Sequence, residues 1–261
     1  MQLFIGSFCL CFAVAIGADV PGSGRAVRKL IFFESGPSVH AFVHGASDVE
    51  VVLLRAQDQP QLPAFIWQVD EAWAAHMRLC TTKSGNGVLS LDGGKVDASD
   101  NLVCPKGKKC MNRVIITLES LLSIRQLPNA GPIVSKDTWS SDNMNIVANG
   151  MGLVSLRVDV PNKLVVSTSH SLVEVSGRAG RALFTFTDDS SASTWDARGV
   201  EARKVSVVLP SKATMLVNPL EELNVLVKGS DRLGKVGYMN SPKVTKVKNA
   251  PKGSVYKIPP A

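Results

Sequence analysis

Leu156–Ser167 reads LRVDVPNKLVVS and Val205–Leu216 reads VSVVLPSKATML, so the two superpose proline on proline. Each is an extended apolar stretch broken by a turn. Leu223–Lys228 (LNVLVK) starts the phrase again about 18 residues after Val205, and Gly45–Leu54 (GASDVEVVLL) has the same texture. A repeat near 20 residues is the length of one solenoid rung, in which each rung stacks on the last and buries a continuous apolar column.

The flanking sequence agrees. From Met144 onward NIVANG, LVSLRVDV, KLVVSTS, LVEVSG, ALFTFTD, ARKVSVVL, TMLV and NVLVKG follow one another, joined by Gly, Pro, Asn or Asp. These joints are too short for crossover helices, so the chain reads as all-β, and the repeat favours a β-solenoid over a sandwich. Val88–Asp92 and Val114–Leu118 read as further strands. One window departs: Phe65, Val69, Trp73 and Met77 recur every four residues behind Pro63, which predicts a single short helix near 64–79.

The amino terminus, MQLFIGSFCLCFAVAIGADV, carries no charge before Asp19. An apolar run ending in Ala15-Ile-Gly-Ala18 has the form of a secretory signal peptide over residues 1–18. The alternative is an uncleaved anchor, for which the run is short. Residues 19–29 (DVPGSGRAVRK) read as a flexible lead-in, and 30–258 as a single domain. Among the cysteines beyond residue 18, Cys104 and Cys110 in CPKGKKC read as a small disulfide loop in an exported protein. Pairing of Cys80 with either one stays open. A zinc site would need four ligands, and only His76 stands near Cys80 to extend the set. No metal or cofactor is therefore expected.

Net charge is +7, and residues 230–261 hold most of it: Arg232, Lys235, Lys243, Lys246, Lys248, Lys252 and Lys257 against Asp231 alone. Such a segment suits contact with an anionic surface, or guards an exposed sheet end against edge pairing. Only Tyr238 and Tyr256 stand among these charges, too few aromatic platforms for single-stranded nucleic acid.

Taken together, these residues resemble the head-GIN domain family of auto-transporter adhesins, over about residues 30–258. Gly45-Ala-Ser-Asp-Val49 is similar to its opening phrase, Ile116-Thr-Leu-Glu-Ser-Leu-Leu-Ser-Ile124 to its Leu-x-x-Ile rung, and Leu223–Asp231 with Tyr238 and Pro242-Lys-Val244 to its ending. The resemblance implies a right-handed parallel β-helix exported from a bacterium, to the periplasm, outer surface or medium. It also implies a non-enzymatic adhesin or interaction scaffold, but it speaks to location and shape more than to a ligand; the partner stays open, with envelope polysaccharide and another surface protein as the candidates. Family turns are small and glycine-rich; here they carry Arg178, Lys228 and Lys252.

The alternative is a polysaccharide-active β-helix enzyme. Such enzymes project two or three carboxylates from adjacent rungs, one as proton donor and another as nucleophile or base. Asp188, Asp189 and Asp196 are the cluster that could serve, with Trp195 beside them for a sugar ring. Their setting, TDDSSASTWDARG, also suits Asp as a turn-forming residue. His40 and His44 would share one strand face about 13 Å apart, too far for one metal, and read as exposed.

Overall fold

The computed structural model describes residues 8–10, 19–31, 39–56, 65–96, 101–169, 172–187, 194–210, 212–228 and 233–259. The turn at Gly36-Pro37, residues 15–18, where cleavage of a signal peptide is expected, and the acids Asp188 and Asp189 lie outside them.

Alternation of apolar and polar residues writes the fold. In β14 (Val154–Thr168) Val154, Leu156, Val158 and Val160 point inward; after the bend at Pro161-Asn162-Lys163, so do Leu164, Val166 and Thr168. One long strand thus bends between two walls of a β-solenoid of about six turns. The strands β15 (Val173–Phe186), β16 (Thr194–Leu209) and β17 (Thr214–Val227) repeat this path, and each pairs in parallel with the next. The rung positions Leu164, Ala182, Val205, Leu223 and Val244 are direct partners, at steps of 18, 23, 18 and 21 residues.

This register corrects the proline superposition. Leu156 pairs with Val175 on the first wall, whereas Val205 pairs with Ala182 on the second. Pro161 sits at the bend within a strand, and Pro210 just after the end of β16. The two phrases are half a rung out of phase. The restart at Leu223 is in phase, because it pairs directly with Val205.

The amino-terminal half fills the same walls in a different order. It contributes β1 (Phe8–Leu10), β2 (Asp19–Pro21), β3 (Ala26–Ile31), β4 (Ala41–His44), β5 (Glu50–Arg55), β6 (Phe65–Asp70), β7 (Met77–Lys83) and β8 (Val88–Lys95). After β9 (Asn101–Val103) come β10 (Asn112–Leu118), β11 (Ser123–Gln126), β12 (Ile133–Ser140) and β13 (Asn143–Ala148). Strand β5 lies between β10 and β12, and β4 between β8 and β11, all parallel. An early rung is thus held between rungs made later. At this end the pairing turns antiparallel, β6 against β10 and β3, β7 against β8 and β1. The stretch expected as a lead-in carries β2, paired with β9, and the start of β3.

The helix expected near 64–79 is absent. Phe65, Trp67 and Val69 are buried in β6 and Met77 and Leu79 in β7, joined by a turn in which the Trp73 and Ala74 N–H groups donate to the Asp70 carbonyl. A spacing of four is a multiple of two, so the stripe that suggests a helix equally satisfies a strand. Asp70 is buried, and its carboxylate accepts from the N–H groups of Ser23, Gly24 and Ala72 and the Ser23 hydroxyl. Burial alone would raise its pKa, but these donors together hold it below the usual carboxylate value.

All four tryptophans are buried, and each indole N–H finds an oxygen: Trp67 at Asn112, Trp73 at Val20, Trp139 at Ser135 and Trp195 at Val173, at 3.0–3.1 Å. That satisfaction is what allows so large an amphipathic ring into the core.

His44 is not the exposed residue expected. It is fully buried beside Phe42, with ring centroids 6.1 Å apart, because β4 turns Phe42 and His44 inward together. Nε2 lies 3.2 Å from the Val49 carbonyl, while buried Nδ1 has no hydrogen-bond partner. Burial pushes its pKa from 6.5 to about 4. His40 precedes the strand and is half-buried.

Two outcomes follow. Between pH 6.5 and about 4 the unfolded chain binds a proton at His44 that the fold does not. Stability is therefore full above that window and falls by roughly 3 kcal/mol through it on acidification. Denaturant titrations across this range should show a shallower fall in His44→Gln, and equal slopes would contradict the assignment. Gly177, at φ 120°, has the Val158 carbonyl where a Cβ would stand. Gly177→Ala should cost about 2 kcal/mol in the same titrations, and Ser176→Ala under about 0.5.

Candidate functional site

With inward positions spent on the core, outward side chains form rows that run from rung to rung. On the second wall Lys163 pairs with Arg181, Arg181 with Lys204, Lys204 with Glu222 and Glu222 with Lys243. Lys163 and Arg181 are exposed, and Lys204 reaches Glu222 at 3.1 Å. A shallow groove of about 360 Å³ runs along this row, with Leu183, Ser206 and Asn224 beside the charges. At the bend a second row, Asp159, Arg178 and Glu201, alternates in sign, with Arg178 Nε 3.8 Å from Asp159 Oδ1. The turn arginine Arg178 is thus spent on an exposed pairing, a weak interaction in water.

Asp196 lies on the outward face of β16, in an open groove of about 610 Å³ with Glu174 and Arg198. The Arg198 fork grips its carboxylate, Nη2 to Oδ2 at 2.6 Å and Nε to Oδ1 at 2.9 Å. The Arg198 hydrogen bonds hold the Asp196 carboxyl below the usual range and raise Arg198 in turn. Such a carboxylate is an ionised acceptor and is unsuited to donating a proton to a leaving group. Trp195 is not offered to a ligand: it is buried and meets Phe184 edge to face at 5.4 Å.

A disulfide joins Cys104 and Cys110, whose Cα atoms stand 5.6 Å apart, and Cys80, half-buried in β7, is not part of that bridge. The basic end takes shape as β18 (Lys235–Tyr238), β19 (Lys243–Lys248) and β20 (Val255–Lys257). β19 and β20 are the last strands of the two walls, so Lys243, Lys246, Lys248 and Lys257 stand along the terminal edge. Lysines there discourage another strand from adding on. Among the described residues no cluster of three His, Cys, Asp or Glu could hold a metal ion. The cation row escaped the sequence reading because its members are 18 and 23 residues apart, and unequal steps hide a row until the turns are placed.

No curated protein matches the sequence. Several crystal structures share the fold. A "putative adhesin" from Bacteroides fragilis superposes with a TM-score of 0.65 at 16% identity, covering 91% of this chain and 99% of that one. A "putative lipid binding protein" from Parabacteroides distasonis gives 0.58 at 15% identity, covering 93% and 100%. A "putative adhesin" from Parabacteroides merdae gives 0.55 at 17% identity, covering 92% and 99%. At such identities these likenesses show the architecture. The sequence itself matches the family described as "Putative auto-transporter adhesin, head GIN domain" over residues 74–242. The chain belongs to the head-GIN domain family.

Proposed function

We propose that this protein is an exported, non-enzymatic binding scaffold that acts at the cell envelope or surface in an adhesin-like role. The observation that carries the reading is the division of labour along each strand. Inward residues are consumed by packing, and outward ones form straight polar rows at rung spacing, a surface suited to long or repetitive partners. The Cys104–Cys110 disulfide fits an oxidising compartment, and the apolar residues 1–18 fit a signal for export. The Arg198 grip on Asp196 weighs against the glycosidase alternative.

One structural neighbour is named for lipid binding. In this chain Phe42, Trp139 and Phe184 are fully buried between the walls, so packing takes up the interior there and leaves the outer surface for a ligand.

The test is expression of the whole chain in a bacterial host, with fractionation and intact mass. The expected product is exported and lacks residues 1–18. When purified, it should be retained on immobilised envelope material and release no reducing ends from a polysaccharide panel. Retention in the cytoplasm with residues 1–18 intact would contradict export. Reducing-end release that Asp196→Asn abolishes would contradict the non-enzymatic role.

A further inference from the structure

We infer that the row Lys163–Arg181–Lys204 is the binding surface for a linear acidic polysaccharide bearing a carboxylate on successive sugars. The inference rests on the scaffold reading and names its partner class.

Three cations stand in register on three consecutive rungs. Neighbouring strands lie about 4.8 Å apart, and like charges placed directly opposite destabilise a sheet. Elsewhere the same solenoid puts opposite charges in such positions: Arg178 faces Asp159, and Arg113 on β10 faces Glu50 on β5 at 2.7 Å. Among the described residues an acid answers the cation row at one end, where Glu222 meets Lys204. Among the described residues, Lys163 and Arg181 have no acidic side chain within ion-pair distance. An array that repels itself in the free protein is stabilised by an external polyanion, and that complementarity is the basis of the proposal.

The groove's other residues refine the ligand. Leu183 offers an apolar surface to the face of a sugar ring, and Ser206 with Asn224 offers donors and acceptors to hydroxyls. Among the described residues no aromatic side chain lines the groove, which disfavours a single-stranded nucleic acid, whose bases need stacking platforms. The row is straight because the rungs stack in parallel, so it presents charge at a regular interval, as a uronic acid polymer does. Arg181 can grip a carboxylate with two N–H groups, whereas the lysines act as point charges.

The test uses the whole chain and three immobilised probes: polygalacturonate, neutral dextran and single-stranded DNA. Two triple variants remove the same charge from exposed positions, Lys163→Ala/Arg181→Ala/Lys204→Ala in the row and Lys246→Ala/Lys248→Ala/Lys252→Ala at the terminal end. A single cooperative melting transition in each confirms that both fold. The row variant should bind polygalacturonate about tenfold more weakly and the end variant within about twofold of the parent, with dextran unbound and binding weakened by salt. Equal losses in both variants would reduce the effect to net charge and overturn the proposal. So would tighter binding to DNA, or no binding to polygalacturonate by the parent chain. In that last case, retention on envelope material would leave the scaffold reading standing with another partner class, and loss of both would remove the two together.

Discussion

Everything in this structure depends on the register of the inward column. Strand side chains alternate with a period of two, so a slip of one residue between rungs would turn Val205, Val207 and Leu209 outward and bring Lys204, Ser206 and Val208 into the core. The penalty on that slip fixes each rung on the next. The outward rows inherit the same precision, although nothing on the outside imposes it. Unequal rung lengths are absorbed at the bends, where pairing shifts between Asp196 and Glu201 and between Val160 and Lys163.

The two ends of the solenoid meet the edge problem differently. At the amino-terminal end the pairing changes to antiparallel and the turn after β6 is tied down by Asp70, whose four bonds gather Ser23, Gly24 and Ala72. The early rung β4–β5 is clasped between strands made later, so this end closes only once distant segments are in place. At the other end, among the described residues, no further strand pairs beyond β19 and β20, and lysines stand along them. That explains the concentration of charge in the last thirty residues without invoking a ligand, and it turns attention to the cation row on the wall.

The column was legible in the sequence because alternation is a local property: LVSLRVDV and KLVVSTS state their faces directly. The restart at Leu223 was legible for the same reason. Phe65, Val69, Trp73 and Met77 misled because a four-residue spacing fits both periodicities, and the buried alternates Trp67 and Leu79 decide for strands. The proline match misled because Pro161 and Pro210 terminate different half-rungs. His44 gave no warning of burial, since a polar ring at a core position follows from its partners Gln126 and Leu91, far away in sequence. The clasped rung and the cation row were illegible for that reason too, as both arise from pairings between residues separated by turns of unequal length.

The central claim, that the inward column fixes the outward register, is tested most directly by pairwise cysteine cross-linking in a Cys80→Ala background. Lys163→Cys with Arg181→Cys should form a disulfide readily under mild oxidation, because direct partners on adjacent strands stand within bridging distance. Lys163→Cys with Leu183→Cys, displaced by one outward position, should cross-link poorly. Preferential cross-linking of the displaced pair would mean that the rungs stack in another register and would contradict the account.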